Sequence, residues 1–194
     1  MGSLHSLKVL HPRILVPLKD ELIKEVCCGY AHTLAINQFG QMYSWGFNES
    51  GQLGIGFENV PDVVRKPVLN THINNVVKLA AGHEHSLALT KTQDLYVWGT
   101  GSLTGLGVDE IIGIPTHLDF FAKAKSAGPL SSSVNKITQV ACGGLHTAVV
   151  TKEGELFTWG STEGGQLGHE ITSDEPSVKR PTRVEYLATR GLKI

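Results

Sequence analysis

The stretch "CGYAHTLAINQFGQMYSWGFNESGQLGIG" at residues 28–56 decides the fold, because it returns twice further along the chain. Residues 81–107 read "AGHEHSLALTKTQDLYVWGTGSLTGLG", and residues 142–168 read "CGGLHTAVVTKEGELFTWGSTEGGQLG". The shared cores align without a gap, whereas the segments between them differ in length. Self-similarity at a period of about 50–60 residues is typical of a repeat protein built from one structural unit.

The same residue types stand at the same offsets in each copy. A Gly is followed three residues later by His, Trp-Gly begins thirteen residues after that His, and Leu-Gly closes the unit. All three tryptophans of the chain fall on this one position. We expect structural roles for these repeat positions, which are Gly29, His32, Trp45, Gly46, Gly54, Gly82, His85, Trp98, Gly99, Gly107, Gly143, His146, Trp159, Gly160 and Gly168.

Each copy predicts one small antiparallel sheet. Short apolar runs precede the first Gly and follow the His, and a turn with Gly or Asp then leads into an alternating run that ends at the Trp. Such runs, separated by such turns, are typical of hairpins. A segment with proline recurs between the copies, and proline confines it to the start or the edge of a sheet. Four short strands in each repeat predict the blade of a β-propeller.

The pattern resembles the repeat of the regulator of chromosome condensation (RCC1-like) family. The shared motif is Gly-x-x-His-Thr/Ser, a thirteen-residue step to Trp-Gly, and then Gly-Gln-Leu-Gly. The second copy departs from it, with Ser86 in place of Thr and Thr104-Gly105 in place of Gly-Gln. The resemblance covers about residues 12–184 and implies a seven-bladed ring of four-stranded blades. We therefore expect an all-β chain that forms a partial arc of about three blades.

The domain organisation follows from the repeats. Residues 1–11 are expected to be an N-terminal tail or residues added for expression. One propeller domain would hold three repeats at about 12–64, 65–112 and 113–178, and residues 179–194 would begin a further repeat or form a tail. An open arc exposes apolar surface and strand edges at both ends. We therefore expect either further repeats that complete the ring or self-association of the chain.

Composition excludes several classes of protein. Lys and Arg number 17 against 18 Asp and Glu, so no broad electrostatic field favours nucleic acid or an anionic membrane. No run of 18 apolar residues predicts a membrane span, and the N-terminus does not have the pattern of a secretory signal. Three cysteines fit a reducing compartment. We expect an intracellular protein, cytoplasmic or nuclear.

No motif predicts catalytic, metal or cofactor-binding residues. A His that recurs in every repeat is expected to hold the backbone of its blade, because catalysis needs one convergent constellation. His83 and His85 stand two apart, as in some metal sites, but no third ligand stands at a matching spacing. "GTGSLTG" at residues 99–105 has the glycines of a phosphate-binding loop without its spacing or its following helix. The tryptophans are expected to fill the space between blades.

The longest variable segment, residues 108–136, contains a candidate partner-binding loop formed by Phe120, Phe121, Lys123 and Lys125. An aromatic anchor with a basic surround is suited to docking a partner. The alternative is a long linker whose Phe pair packs onto the blade. We expect that replacing residues 118–133 by a Gly/Ser linker leaves the fold intact.

Two classes of function remain after these exclusions. The first is a non-catalytic scaffold that binds a protein partner. The resemblance implies the alternative, guanine nucleotide exchange on (or regulation of) a small GTPase, which requires binding of the nucleotide-free GTPase and no covalent catalysis. A third family role, the plant ultraviolet-B photoreceptor, uses a Gly-Trp-Arg-His-Thr form of the motif. This chain has Gly-Tyr-Ala-His-Thr, Gly-His-Glu-His-Ser and Gly-Gly-Leu-His-Thr, which argues against that role.

Overall fold

The computed structural model describes residues 11–122, 136–170 and 175–194, and it consists of three four-stranded antiparallel sheets. This arrangement confirms the predicted all-β architecture, a partial propeller. The helices of the described residues are one turn each, and none is long and apolar enough to cross a bilayer.

Within each sheet the strands are hydrogen-bonded in chain order. The first sheet contains β1 Ile23–Cys28, β2 His32–Asn37, β3 Met42–Phe47 and β4 Val63–Leu69. The second contains β5 Val76–Ala81, β6 His85–Thr90, β7 Leu95–Gly99 and β8 Ile112–His117. The third contains β9 Ile137–Cys142, β10 His146–Thr151, β11 Leu156–Ser161 and β12 Ser177–Arg183. The helices are α1 Gly101–Thr104, α2 Glu185–Ala188, and two 3₁₀ turns at Val16–Leu18 and Asp119–Phe121.

The proline segments form the fourth, outer strand of each sheet. Pro67, Pro115 and Pro181 lie in β4, β8 and β12, each of which is an edge strand. Proline has no N–H to donate, so an edge strand accommodates it. Each sheet therefore ends a few residues later than the predicted repeats, because the long loop after β3 brings the proline segment back beside β3 of its own sheet.

A polar side chain closes the turn between the second and third strands of each sheet. In the first sheet, Asn37 Oδ1 accepts hydrogen bonds from the backbone N–H groups of Phe39 and Gln41, both at 3.0 Å. In the other two sheets, Thr90 and Thr151 accept from the fourth residue after them. These side chains satisfy turn backbone that the strands leave unpaired.

The hydrophobic core lies between neighbouring sheets. One cluster packs Leu34, Ile36 and Met42 of the first sheet against Leu79 and Trp98 of the second. The other packs apolar residues of the second sheet against those of the third, including Leu87, Leu89, Leu95, Ile137, Val149 and Trp159. Burial of a large apolar side chain contributes about 1.5–3 kcal/mol, so packing between sheets stabilises the arc.

The strand order places the connections at two opposite ends of the sheets. The loop face comprises residues 29–31, 48–62, 82–84, 100–111, 143–145, 162–170 and 175–176, which join first to second and third to fourth strands. The turn face carries the short turns between second and third strands and the connections from one sheet to the next.

Candidate protein-interaction surface

The repeated histidines join one sheet to the next. His32 Nε2 lies 2.8 Å from Ser86 Oγ, and His85 Nε2 lies 3.0 Å from Thr147 Oγ1. Ser86 Oγ donates its proton to the backbone oxygen of Gln52 at 2.8 Å, so it accepts from the N–H of His32 Nε2. The sequence predicted that each repeat His bonds to the backbone of its own blade. For His32 and His85 the partner is instead a hydroxyl of the following sheet.

Burial keeps these imidazoles neutral. Desolvation lowers the pKa of His32 to about 4, and it lowers the pKa of His85 to about 3. Both side chains are buried, whereas His146 of the third sheet is half-buried. Each of these two rings connects two sheets inside the core, and its second nitrogen, Nδ1, is buried as well.

The tryptophans act at the same joints from the opposite side. Trp98 Nε1 donates to the backbone oxygen of Gln52 at 2.9 Å, and Trp159 Nε1 donates to that of Leu103 at 3.0 Å. Both indoles are fully buried between sheets, while Trp45 of the first sheet is half-buried. Each joint therefore combines an apolar contact with hydrogen bonds that run in both directions.

A glycine lies against each buried indole. The ungapped alignment of the repeats equates Gly54 with Gly107, but the structure places a different glycine of the second repeat against the indole. A Cβ on Gly54 would come within 2.9 Å of Trp98 Nε1. The corresponding contact to Trp159 belongs to Gly105, whereas Gly107 lies beside Arg180. The cause is helix α1, which shortens the path of this loop and ends at Gly105 with a φ of 83°.

Three further glycines leave room for the histidine rings. A Cβ on Gly29, Gly82 or Gly143 would overlap the imidazole three residues ahead. This close approach explains the fixed Gly-x-x-His spacing, which sequence alone shows only as a regularity.

The described residues contain no group of three His, Cys, Asp or Glu side chains arranged to hold a metal ion. His83 packs against Tyr30, with ring centroids 4.2 Å apart and ring planes tilted by 43°. Burial raises the pKa of the Cys27 thiol to about 12 and also raises that of Cys142. These two cysteines are therefore protonated packing residues.

The "GTGSLTG" loop is filled by its own chain. It forms helix α1, in which Thr104 Oγ1 donates to the backbone oxygen of Gly101 at 2.7 Å. A Cβ on Gly101 would meet the backbone oxygen of Glu110. The glycines of this loop thus accommodate neighbouring backbone.

The structure separates the two phenylalanines of the candidate partner-binding loop. Phe121 is 5% exposed and packs edge-on against Phe157, with ring centroids 5.4 Å apart. Phe120 is 39% exposed and covers the same pair. Lys123 and Lys125 lie outside the described residues. Phe121 belongs to the core, in agreement with the alternative interpretation in which the Phe pair packs onto the blade. Of the two phenylalanines, Phe120 alone has a side chain exposed enough to contact a partner.

The loop face carries a strong segregation of charge that the balanced composition hides. Its described residues contain nine exposed carboxylates and neither Lys nor Arg. The carboxylates are Glu49, Glu58, Asp62, Glu84, Asp109, Glu110, Glu163, Glu170 and Glu175. Two basic residues of β12 also reach this face: Lys179 pairs with Asp109 at 2.7 Å, and the guanidinium of Arg180 lies beside Gly107. A count of charges in each predicted loop would have found this feature from sequence.

Exposed apolar side chains stand among these carboxylates. Tyr30 is 76% exposed, and Phe57, Ile111 and Leu145 are each more than 40% exposed. A groove of about 310 Å³ lies between the second and third sheets, lined by residues that include Glu84, Asp109 and Leu145. The loop face thus combines negative charge, apolar contact area and a concave site.

Comparison with known proteins identifies the repeat. The model of the regulator of chromosome condensation (RCC1) repeat matches residues 40–89 and 153–194, and a second model of this repeat matches residues 23–52, 76–103 and 137–166. Together these matches cover more than half of the chain and include strands of all three sheets.

Similar proteins contain the repeat within longer chains. The probable E3 ubiquitin-protein ligase HERC3 of Homo sapiens is 33% identical over 87% of this chain and 15% of its own length. The ultraviolet-B receptor UVR8 of Arabidopsis thaliana is 34% identical over 90% of this chain and 37% of its own length. The structure of Prp20p from Saccharomyces cerevisiae is similar, with a TM-score of 0.65 and 28% sequence identity. The similarity covers 87% of this chain and 40% of Prp20p. The chain spans less than half the length of each of these relatives.

Proposed function

The chain belongs to the regulator of chromosome condensation (RCC1) repeat family, and we propose that it is a non-catalytic scaffold whose loop face binds a basic segment of a protein partner. The observation that carries the proposal is the set of nine exposed carboxylates on one face, without Lys or Arg in its described loops. Complementary charge steers a partner to such a face and sets the orientation of binding.

The apolar residues of the loop face supply contacts that charge alone does not. Binding energy concentrates in a few aromatic or aliphatic anchors surrounded by polar residues. Tyr30, Phe57 and Leu145 are exposed among the carboxylates and fit that role. Nucleic acid is disfavoured on this face, because phosphates and carboxylates repel each other.

The similarity to Prp20p supports a protein partner of this kind. The structure of that protein is described together with its binding to Gsp1p and histones. Histones are rich in Lys and Arg, so a basic partner is compatible with what a structural relative binds.

Regulation of a small GTPase, including guanine nucleotide exchange, is the second candidate. The observation that favours it is the 28% identity over 87% of the chain to Prp20p, whose structure is described with its binding to Gsp1p. The family resemblance implies guanine nucleotide exchange for such a chain. Such a regulator binds its GTPase through a surface of matched shape, and it changes the equilibrium between nucleotide states by differential affinity.

The test is binding of a fluorescent Lys/Arg-rich peptide, measured by anisotropy at low and high ionic strength. We expect binding that weakens with salt, and that weakens further in Glu49→Lys and Glu163→Lys. Asp20→Lys is the matched control, because it makes the same charge change at an exposed position outside the loop face. A peptide with Glu at the basic positions should not bind.

Equal binding by Glu163→Lys and Asp20→Lys would contradict a specific role for the loop face. Release of fluorescent GDP from a panel of purified small GTPases tests the second candidate separately. Accelerated release by the chain, with no binding of the basic peptide, would favour exchange over the scaffold.

A further inference from the structure

The arc contains two joints, one between the first and second sheets and one between the second and third. The outer side of the first sheet and the outer side of the third sheet have the two surfaces that meet at such a joint. The leading face is the side of the first sheet formed by Val26, Thr33, Ala35 and Trp45. The same positions in the second sheet are Leu79, Ser86, Ala88 and Trp98, all buried against the first sheet. Val26 is 54% exposed where Leu79 is 6% exposed. Within the described residues, the indole N–H of Trp45 has no acceptor.

The trailing face is the side of the third sheet formed by Ala141, His146, Ala148 and the backbone oxygen of Gln166. The corresponding positions of the second sheet, Ala80, His85 and Leu87, are buried at the joint with the third sheet. Gln166 repeats the local geometry of Gln52, since the side-chain oxygen of each accepts a backbone N–H two residues earlier in the chain. Gln52 is the residue whose backbone oxygen receives the indole of Trp98.

We propose that a second copy of this chain docks its leading face on the trailing face of the first, head to tail. His146 would then take the hydroxyl of the partner's Thr33, and Gln166 would accept the indole N–H of the partner's Trp45. Both contacts reproduce pairs already present at the internal joints. A second copy is the occupant because it carries the matching apolar residues, hydroxyl and indole in one rigid sheet.

Docking requires chain segments at both faces to move. Ile194 N donates to the backbone oxygen of Gly154 at 3.1 Å, as Val76 N donates to that of Gly40 at 3.0 Å in the first joint. The partner's Ile23 would replace Ile194, which is exposed along with the three residues before it. Residues 11–22 lie along the leading face, where Ala35 is already buried, and Leu18 is the one buried residue of this segment. The segment must move aside for the partner to dock.

The experiment is sedimentation velocity on the full chain over a wide range of concentrations. We expect concentration-dependent association of the wild type. Val26→Glu blocks the leading face and Ala141→Glu blocks the trailing face, at positions exposed enough to leave the fold intact. Phe39→Glu is the control, because it adds the same charge at an exposed site on the turn face. Circular dichroism verifies that each variant is folded.

The decisive measurement is an equimolar mixture of the two blocked variants. Each variant alone should be monomeric, and the mixture should form dimers and nothing larger, because only one compatible pair of faces remains. If either blocked variant misfolds, Trp45→Ala or His146→Ala replaces it. A monomeric wild type, association that survives in both blocked variants, or a mixture that fails to pair would each overturn the proposal.

Discussion

His85 Nε2 lies 3.0 Å from Thr147 Oγ1, and this contact connects the second sheet to the third inside a fully buried joint. The residues belong to different repeats, 62 positions apart in the chain. The spacing that recurs in each repeat thus serves a bond between repeats, which accounts for the regular recurrence of His and of Thr or Ser along this sequence.

The first prediction is that His85 and Thr147 contribute to stability as a pair. His85→Ala and Thr147→Val should each lower the free energy of unfolding by about 1–3 kcal/mol, because each leaves a buried polar partner unsatisfied. The double variant should cost less than the sum of the two. Urea denaturation followed by circular dichroism measures all three, and strict additivity would contradict the pairing. His146→Ala is the control, since that ring is half-buried and its loss should cost less.

The second prediction concerns pH. The pKa of His32 is lowered by burial to about 4 in the folded chain, against about 6.5 when unfolded. The neutral ring stabilises the fold fully above pH 6.5, and this contribution is lost as the pH falls from there towards 4. We expect a loss of about 3 kcal/mol from this residue across that window. His32→Gln should show a flatter pH dependence in urea denaturation, and an unchanged slope would refute the assignment.

The third prediction separates backbone strain from crowding at a repeat glycine. Gly54 and Gly165 have nearly the same φ, 70° and 67°, but only Gly54 lies against an indole, whereas a Cβ on Gly165 would meet no atom within 4 Å. Alanine at either position costs about 1–2 kcal/mol for the left-handed backbone. Gly54→Ala should cost about 1–3 kcal/mol more through overpacking on Trp98. Equal unfolding midpoints for the two variants would show that Trp98 moves aside for the added methyl group at no cost in stability.

The fourth prediction distinguishes the two phenylalanines after β8. Phe121→Ala should lower stability by about 3–5 kcal/mol, because it opens a cavity beside Phe157 and Trp159. Phe120→Ala should cost about 1 kcal/mol, since this ring is partly exposed. Replacing residues 118–133 by a Gly/Ser linker should therefore destabilise the chain unless the buried Leu118 and Phe121 are retained. Thermal unfolding of the three variants checks this, and an unaffected Phe121→Ala would restore the expectation that the segment is dispensable.

Much of the fold could be predicted from short-range patterns. The alternation that ends at Trp45, Trp98 and Trp159 predicts a strand, because side chains in a strand alternate between two faces. The prolines of the linkers predicted edge strands, because they cannot donate a backbone hydrogen bond. Which sheet each proline strand joins could not be predicted from these signals, because its partner, the third strand of the sheet, lies across a long loop.

The candidate surface was predictable in a different way. The carboxylates of the loop face are plain in the sequence, but their clustering depends on the strand order that brings six loops to one end of the arc. The total charge of the chain is nearly balanced and conceals them. Phe121 shows the opposite error, since an aromatic residue in a variable segment suggested surface and is instead packed on Phe157.

By itself, the sequence determined the repeat, the strands, the sharp turns and the family, because these depend on residue types at spacings within one blade. Only the tertiary structure decided that His32 bonds to Ser86, that Gly105 and not Gly107 faces Trp159, and that Trp45 and His146 remain partly exposed. Those outcomes depend on contacts between residues about 50–60 positions apart, where one sheet packs on the next. Local periodicity contains no information on which blades adjoin, since every repeat has the same pattern and only position in the arc distinguishes a buried joint from an open face.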